Sequence, residues 1–146
     1  MKKKIIIFRV IGNQKYGLGH IYRSLTIAKK LDKFKIIFVS TIQNKEILEK
    51  LVSNIYDINI FSNETIIDNI IKLRPLLVIN DILSTKVKDV VPLKKSKIKT
   101  LNFEDLGPGA KYANLVINEI HEKSLNKNEN TLWGSNYFFL RDEFKN

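Results

Sequence analysis

The chain has 146 residues, of which 44% are apolar, enough for one domain with its own core. It contains no cysteine, which excludes a disulfide framework, thiolate chemistry and a cysteine metal site. The formal charge of +10 raises nucleic acid as a partner, but the arginines are only Arg9, Arg23, Arg74 and Arg141 and the lysines are spread along the chain, so no nucleic-acid partner is expected.

Lys3 to Val10 reads as a buried strand, judged by the continuous apolar run Ile5-Ile6-Ile7-Phe8 within it. Its start, Met1-Lys2-Lys3-Lys4 and then Ile5 to Phe8, has the order of a signal peptide. The run is too short, Arg9 ends it, and no small-residue cleavage site follows. No stretch approaches the length of a membrane span, so the expectation is a cytoplasmic protein with no membrane partner. Ile11 to Gly19 reads as a loop, and His20 to Leu31 as a helix with Ile21, Leu25, Ala28 and Leu31 on its core stripe.

Strand, glycine loop and helix in that order place Gly17 and Gly19 where a backbone can bend and a ligand can come close. The helix start would turn free N–H groups and the positive end of its dipole toward an anion. His20 and Arg23 are three apart and share a face there. A histidine can move a proton near neutral pH, and an arginine can hold a carboxylate or phosphate with a fork of donors. A tight turn with an exposed histidine is the bland alternative. The pattern is neither a dinucleotide fingerprint, which needs a third glycine, nor a P-loop.

Lys35 to Ser40 reads as a second buried strand, Lys45 to Leu51 as a helix, and Ile55 to Phe61 as a further strand. A helix capped by Ser62 or Asn63 runs to Leu73, before Pro75. Leu76 to Ile79 is a strand ending in Asn80-Asp81. Thr85 to Leu93 is a helix capped by Ser84 or Thr85 and disrupted by Pro92. Lys99 to Phe103 is a strand ending in Glu104-Asp105, and the turn Gly107-Pro108-Gly109-Ala110 precedes a short strand, Leu115 to Ile117, ending in Asn118. Ser124 to Asn130 is polar and reads as a mobile segment.

Strands alternating with helices predict one α/β domain over 1–146, a doubly wound, mostly parallel, Rossmann-like sheet. In such a sheet Arg9, Asn80-Asp81, Asn102 with Glu104-Asp105, Asn118 and the Gly17–Arg23 loop fall along one edge, where ligands bind. Arg9 reads as an ion pair with Asp81 or Asp105, or as a ligand contact. Asp81, Glu104 and Asp105 read as caps or as site acids. His121 reads as a surface residue, and Trp133 and Tyr137 as packing anchors. Two histidines a hundred residues apart make no metal site, and no cofactor is expected.

Two segments carry a resemblance. Arg9, then Gly17-x-Gly19-His20-x-x-Arg23-x-Leu25-x-x-Ala28-x-x-Leu31, resembles the N-terminal signature of the UDP-sugar hydrolases of pseudaminic acid biosynthesis (PseG) and their spore-coat relatives (SpsG). Trp133-Gly134-x-x-Tyr137-x-x-Leu140-Arg141-x-Glu143-Phe144 is similar to the segment that closes the N-terminal half of those proteins. The run from Asn102 to Ala110 looks more like the SpsG-type domains found beside sialic-acid-type cytidylyltransferases. The resemblance covers nearly the whole chain but only the first half of the family's protein. It implies the N-terminal domain of a glycosyltransferase-B-like fold, a nucleotide-sugar substrate that is UDP-linked, and a second chain supplying the C-terminal half. It implies His20 as the catalytic residue, activating a water or the substrate near the anomeric phosphate. Gly17 and Gly19 match the loop that approaches the sugar or diphosphate. The activity expected is nucleotide-sugar hydrolysis or glycosyl transfer in nonulosonic acid or surface polysaccharide biosynthesis. A binding or partner domain that keeps the fold without the chemistry is the alternative.

Overall fold

The structure, a computed structural model, describes residues 2–12, 17–120 and 128–137. Among the described residues seven strands form one sheet, all parallel, in the order β3-β2-β1-β4-β5-β6-β7. They are β1 (Ile5–Val10), β2 (Lys35–Ser40), β3 (Asp57–Ile60), β4 (Leu77–Asp81), β5 (Lys99–Phe103), β6 (Leu115–Asn118) and β7 (Thr131–Trp133). Helices α1 (Gly19–Ala28), α2 (Lys45–Leu51), α3 (Ile66–Lys72) and α4 (Val87–Lys95) make the crossovers from β1 through to β5. This is the doubly wound, Rossmann-like α/β fold that the alternation of elements predicts.

Period-two alternation along β1 builds both layers of core. Ile6, Phe8 and Val10 pack with Ile21 and Ala28 of α1 and Leu48 of α2. Ile7 packs on the other face with Ile66 and Ile70 of α3 and Leu93 of α4. Phe8 stacks on Phe38 at 5.2 Å, and Phe38 on Tyr56 at 5.6 Å. The chain winds outward from β1 through β2 to β3, then returns by α3 to place β4 against the other side of β1. The reversal of strand order therefore lies between β1 and β4, with Val10 level with Asp81 at the carboxyl end. A sheet of this kind opens its ligand crevice at that point.

Several boundaries differ from expectation. Helix α1 ends at Ala28, because Lys30 and Leu31 donate three residues back in a tighter last turn. Helix α4 begins at Val87 and is capped by neither Ser84 nor Thr85. Asp89 instead accepts the Lys86 N–H at 2.8 Å, and the Thr85 side chain is taken by Asp105. Pro92 does not disrupt this helix, which runs on to Lys95. The bond lost to proline would have gone to the carbonyl of Lys88, an exposed position. The strand β7 was not expected. It is fixed by Asn130, whose Nδ2 donates to the carbonyls of Ala110 and Ala113 at 2.9 and 2.8 Å. Trp133 closes β7, half-buried, whereas Tyr137 is exposed rather than an anchor. Tyr16, His121, the first four residues of the Ser124–Asn130 segment, and Leu140, Arg141, Glu143 and Phe144 lie outside the described residues. Among the described residues no helix is long and apolar enough to cross a membrane.

Candidate functional site

Gly17 has φ +74°, the left-handed region that glycine enters without steric cost, and lies exposed two residues before α1. Gly19 is the first residue of α1 and is not in that region, so the turn does not demand a glycine there. A Cβ built on either glycine would meet open space. Gly12 differs, since a Cβ there would come within 2.3 Å of Ile21. It lets the end of β1 close against α1, and its N–H donates to Asn44, whose Nδ2 in turn donates to Ser40. Helix α1 has no side-chain cap and no acidic residue in its first turn, and its first bonds run from Ile21 and Tyr22 to the Leu18 carbonyl. The N–H groups of Gly19 and His20 thus have no intrahelical acceptor, as at any helix start.

His20 and Arg23 both turn to Asp81, the last residue of β4. Asp81 is fully buried. Its Oδ1 lies 2.5 Å from Nδ1 of His20 and accepts from NH2 of Arg23 at 2.6 Å, while Oδ2 accepts from Nε of Arg23 at 2.7 Å. A carboxylate facing Nδ1 assigns the proton to that nitrogen and leaves the Nε2 lone pair for other chemistry. NH1 of Arg23 donates to Glu119 and lies 3.8 Å from Glu104. The guanidinium sits 4.5 Å over the Phe103 ring. Burial lowers the Arg23 pKa, but the hydrogen bond and charge of Asp81, with the charges of Glu119 and Glu104, outweigh it and hold the group above its ordinary value. All three of the Arg23 nitrogens are engaged by protein carboxylates, so Arg23 ties α1 to the ends of β4 and β6.

Glu104 is the residue after β5, with φ +51°, a conformation that costs a non-glycine residue energy. Its Oε1 accepts from the N–H of Glu119 at 2.7 Å, and its Oε2 is buried with no hydrogen-bond partner among the described residues. Asp105 is a structural acid. It accepts from the N–H and hydroxyl of Thr85 at 2.8 and 2.6 Å, from Nδ2 of Asn102 at 2.8 Å and from the N–H of Gly107 at 3.0 Å. Asn102 also accepts from Asn80 at 2.9 Å, so Asn80 of β4, Asn102 of β5 and Asp105 in the loop after β5 form one buried chain. Both carboxylate oxygens are satisfied by the protein itself, the arrangement of a cap that fixes the loops around it.

Arg9 pairs with neither Asp81 nor Asp105. Its NH1 donates to Asp89 of α4 at 3.1 Å. The reason is the pleat. Arg9 is level with Asn80, and both face α4, whereas Val10 and Asp81 face α1. The polar residues at the strand ends therefore share an edge but divide between two faces. His20, Arg23, Asp81, Glu104 and Glu119 come together, and Arg9 and Asp105 do not join them.

Glu119 was missed by sequence reasoning. It follows Asn118, and counting by twos from Ile117, which packs on the α1 core, would have placed it beside Arg23. Asn44 and Gly12 were missed as well, because neither belongs to a motif. Between the glycine loop and α2 lies a cleft of about 460 Å³, lined by Gly12, Gly17, Leu18, Gln43, Glu46, Ile47 and Lys50. No group of acids and histidines able to hold a metal ion occurs among the described residues.

No protein-family model matches the chain, and no solved structure matches it significantly. It is similar to a protein of the archaeon Methanocaldococcus jannaschii described as uncharacterized protein MJ1062, with 30% identity over 145 residues. That match takes in 91% of this chain and 30% of the relative, so the chain spans about a third of the length of the protein it resembles.

Proposed function

We propose that this chain is the N-terminal part of a nucleotide-sugar hydrolase, or of a glycosyltransferase-like enzyme, that works in the cytoplasm in nonulosonic acid or surface polysaccharide biosynthesis. The observation that carries the reading is the His20–Asp81 contact beside an open glycine loop, at the point where the strand order reverses. Asp81 orients the imidazole, and Arg23 and Glu119 hold Asp81 in place. Nε2 accepts a proton from a water as the water oxygen bonds to the anomeric carbon. The nucleoside diphosphate leaves with the electron pair of its bond to that carbon. For transfer, an acceptor hydroxyl takes the place of water and gives up the same proton. The amides at the start of α1 and the space over Gly17 and Gly19 suit the anionic diphosphate. The UDP-linked substrate and the hydrolytic role of His20 rest on the resemblance of the His20 segment to the PseG and SpsG proteins.

The length of the archaeal relative favours a second component, either a further domain or a second chain, that supplies the remaining nucleotide contacts. The test is release of UDP from a panel of UDP-activated amino sugars, by the chain alone and with the product of an adjacent reading frame. Turnover that depends on both supports the proposal. No turnover in either arm across the panel overturns it in favour of a binding domain.

A further inference from the structure

The charges of this protein are unevenly placed. Every residue from Ile82 to Asn118 is described, and the acids in that stretch are Asp89, Glu104 and Asp105, all buried. The cations are Lys86, Lys88, Lys94, Lys95, Lys97 and Lys99, with Lys111 in the short turn packed against α4, and all are exposed. Exposed acids such as Asp32, Glu46, Glu49, Asp57 and Glu64 are interleaved with lysines elsewhere, so a lysine-rich composition does not by itself produce this separation. The fold produces it. Asp89 turns inward to Arg9, Asp105 to Thr85 and Asn102, and Glu104 to the Glu119 amide, leaving the outside of α4 and both its ends uniformly cationic.

Three exposed apolar side chains lie at the N-terminal end of that face. They are Leu83, Leu106 and Val87, 37%, 43% and 42% exposed. Leu83 is held at φ +68°, and its loop lies close against the 107–109 turn, where a Cβ on Gly107 or Gly109 would strike Thr85 or Lys86. At the other end Lys94, Lys97, Ile98, Lys99 and Asn114 line a depression of about 300 Å³, room for one small anionic group.

We propose that the α4 face is a docking surface for an anionic lipid bilayer, with lysines over the headgroups and Leu83, Val87 and Leu106 entering the interface. The chemistry selects this partner. The stretch has no arginine, the residue suited to forked phosphate and base-edge contacts, and a broad field of lysine point charges matches a diffuse anionic surface. Exposed leucine and valine beside such a field gain from a hydrocarbon boundary and nothing from a phosphate backbone. The contact is peripheral and needs no membrane span. Helix α4 packs on the sheet face opposite α1, so the lysine field and the His20 helix lie on opposite sides of the sheet.

The test is sedimentation of the full chain with vesicles of phosphatidylcholine containing 30% phosphatidylglycerol, against pure phosphatidylcholine, at low and high salt. Binding to the anionic vesicles alone, weakened by salt, is expected. Each lysine neutralised should lower the partition coefficient about fivefold, so Lys94→Gln, Lys95→Gln, Lys97→Gln and Lys99→Gln together should lower it by about several hundredfold. The same four changed to Arg should retain binding. Leu83→Ser with Leu106→Ser should weaken it at high salt, where the charge contribution is screened. These positions are exposed, and an unchanged far-ultraviolet spectrum verifies folding. Equal binding to both vesicles, no binding to either, full binding by the four-Gln variant, or tighter binding to duplex DNA at the same salt would each overturn the proposal. The hydrogen bonds of His20, Arg23 and Asp81 described above involve none of these residues, and vesicle binding is read without turnover, so failure here leaves the proposed activity standing, and the reverse holds too.

Discussion

Asp81 accepts from His20 and Arg23 at once, and the two come to it from one helix, a single turn apart. Motif and strand end are thus one unit. The carboxylate that orients the imidazole is itself fixed by two bonds from a guanidinium, so the ring has one orientation and one proton assignment.

On the proposed activity, His20→Ala should abolish turnover, and it should leave the fold intact because the side chain stands at a helix start outside the hydrophobic core. Loss of proton transfer costs about 10²–10⁴-fold in kcat. His20→Asn should be nearly as inactive. UDP release by the complete enzyme measures both, and wild-type rates in His20→Ala would move the search to Glu104.

Asp81→Asn should be costly to the protein as well as to its chemistry. It leaves the largely buried Arg23 side chain of α1 with one carboxylate bond in place of three. Breaking a buried pair from one side destabilises by about 3–5 kcal/mol. Urea denaturation reads this loss. An unchanged midpoint would mean that the cluster is wetter and weaker than its geometry implies.

Gly17 and Gly19 should respond in opposite ways. Gly17→Ala forces a Cβ into φ +74° and should cost about 1 kcal/mol. Gly19→Ala places alanine in a helical position with open space around it and should be neutral or stabilising by up to about 1 kcal/mol. If the loop receives a diphosphate, Gly19→Val should raise KM while leaving the thermal midpoint near wild type.

Tyr56 supplies a pH test. Burial raises its pKa above the ordinary phenol value. A group whose folded pKa is raised contributes stability below its unfolded pKa, near 10, and loses it as pH rises through the folded value. Wild type should therefore lose stability above about pH 10 more steeply than Tyr56→Phe, whereas the two should run parallel from pH 6 to 9. The Arg23 pair follows the same sign from a higher starting point, so it adds no slope in this range.

Asp105→Ala should act on stability first. It removes the acceptor for Thr85, Asn102 and Gly107 together and strands buried donors, each worth about 1–3 kcal/mol. Chemical denaturation should show a shift of at least 2 kcal/mol, and loss of the Glu104 backbone geometry should lower activity as a consequence.

The parallel sheet was readable because the runs Ile5 to Phe8, Ile36 to Val39 and Leu76 to Ile79 are apolar and separated by helical stripes. The site was half readable. Glycine, histidine and arginine at the head of α1 form a local pattern, and Asp81 lies at a strand end where the fold concentrates polar groups. The pairing of Arg9 was not foreseen, because lying on one edge does not fix the face. The pleat sends Arg9 to Asp89 on α4, and only the register of β1 on β4 reveals it. The strand β7 is three residues long with mixed polarity, and it is held by Asn130 rather than by an apolar run, so periodicity could not find it. The α4 boundaries were misplaced because Thr85, a good capping residue, is drawn away by Asp105 from a different loop.

The strand order also governs how the chain assembles. Ile6 pairs with Ile36 on one side and Leu77 on the other, so the centre of the sheet joins segments about seventy positions apart. Pairings this distant pay the entropy of loop closure before they are rewarded, which places the domain among slower folders. At a synthesis rate of about 5–20 residues per second, β1 waits roughly 4–14 s for β4 to be made. During that interval the edge of β1 that β4 will cover, from Ile6 to Val10, is open to pairing with other chains.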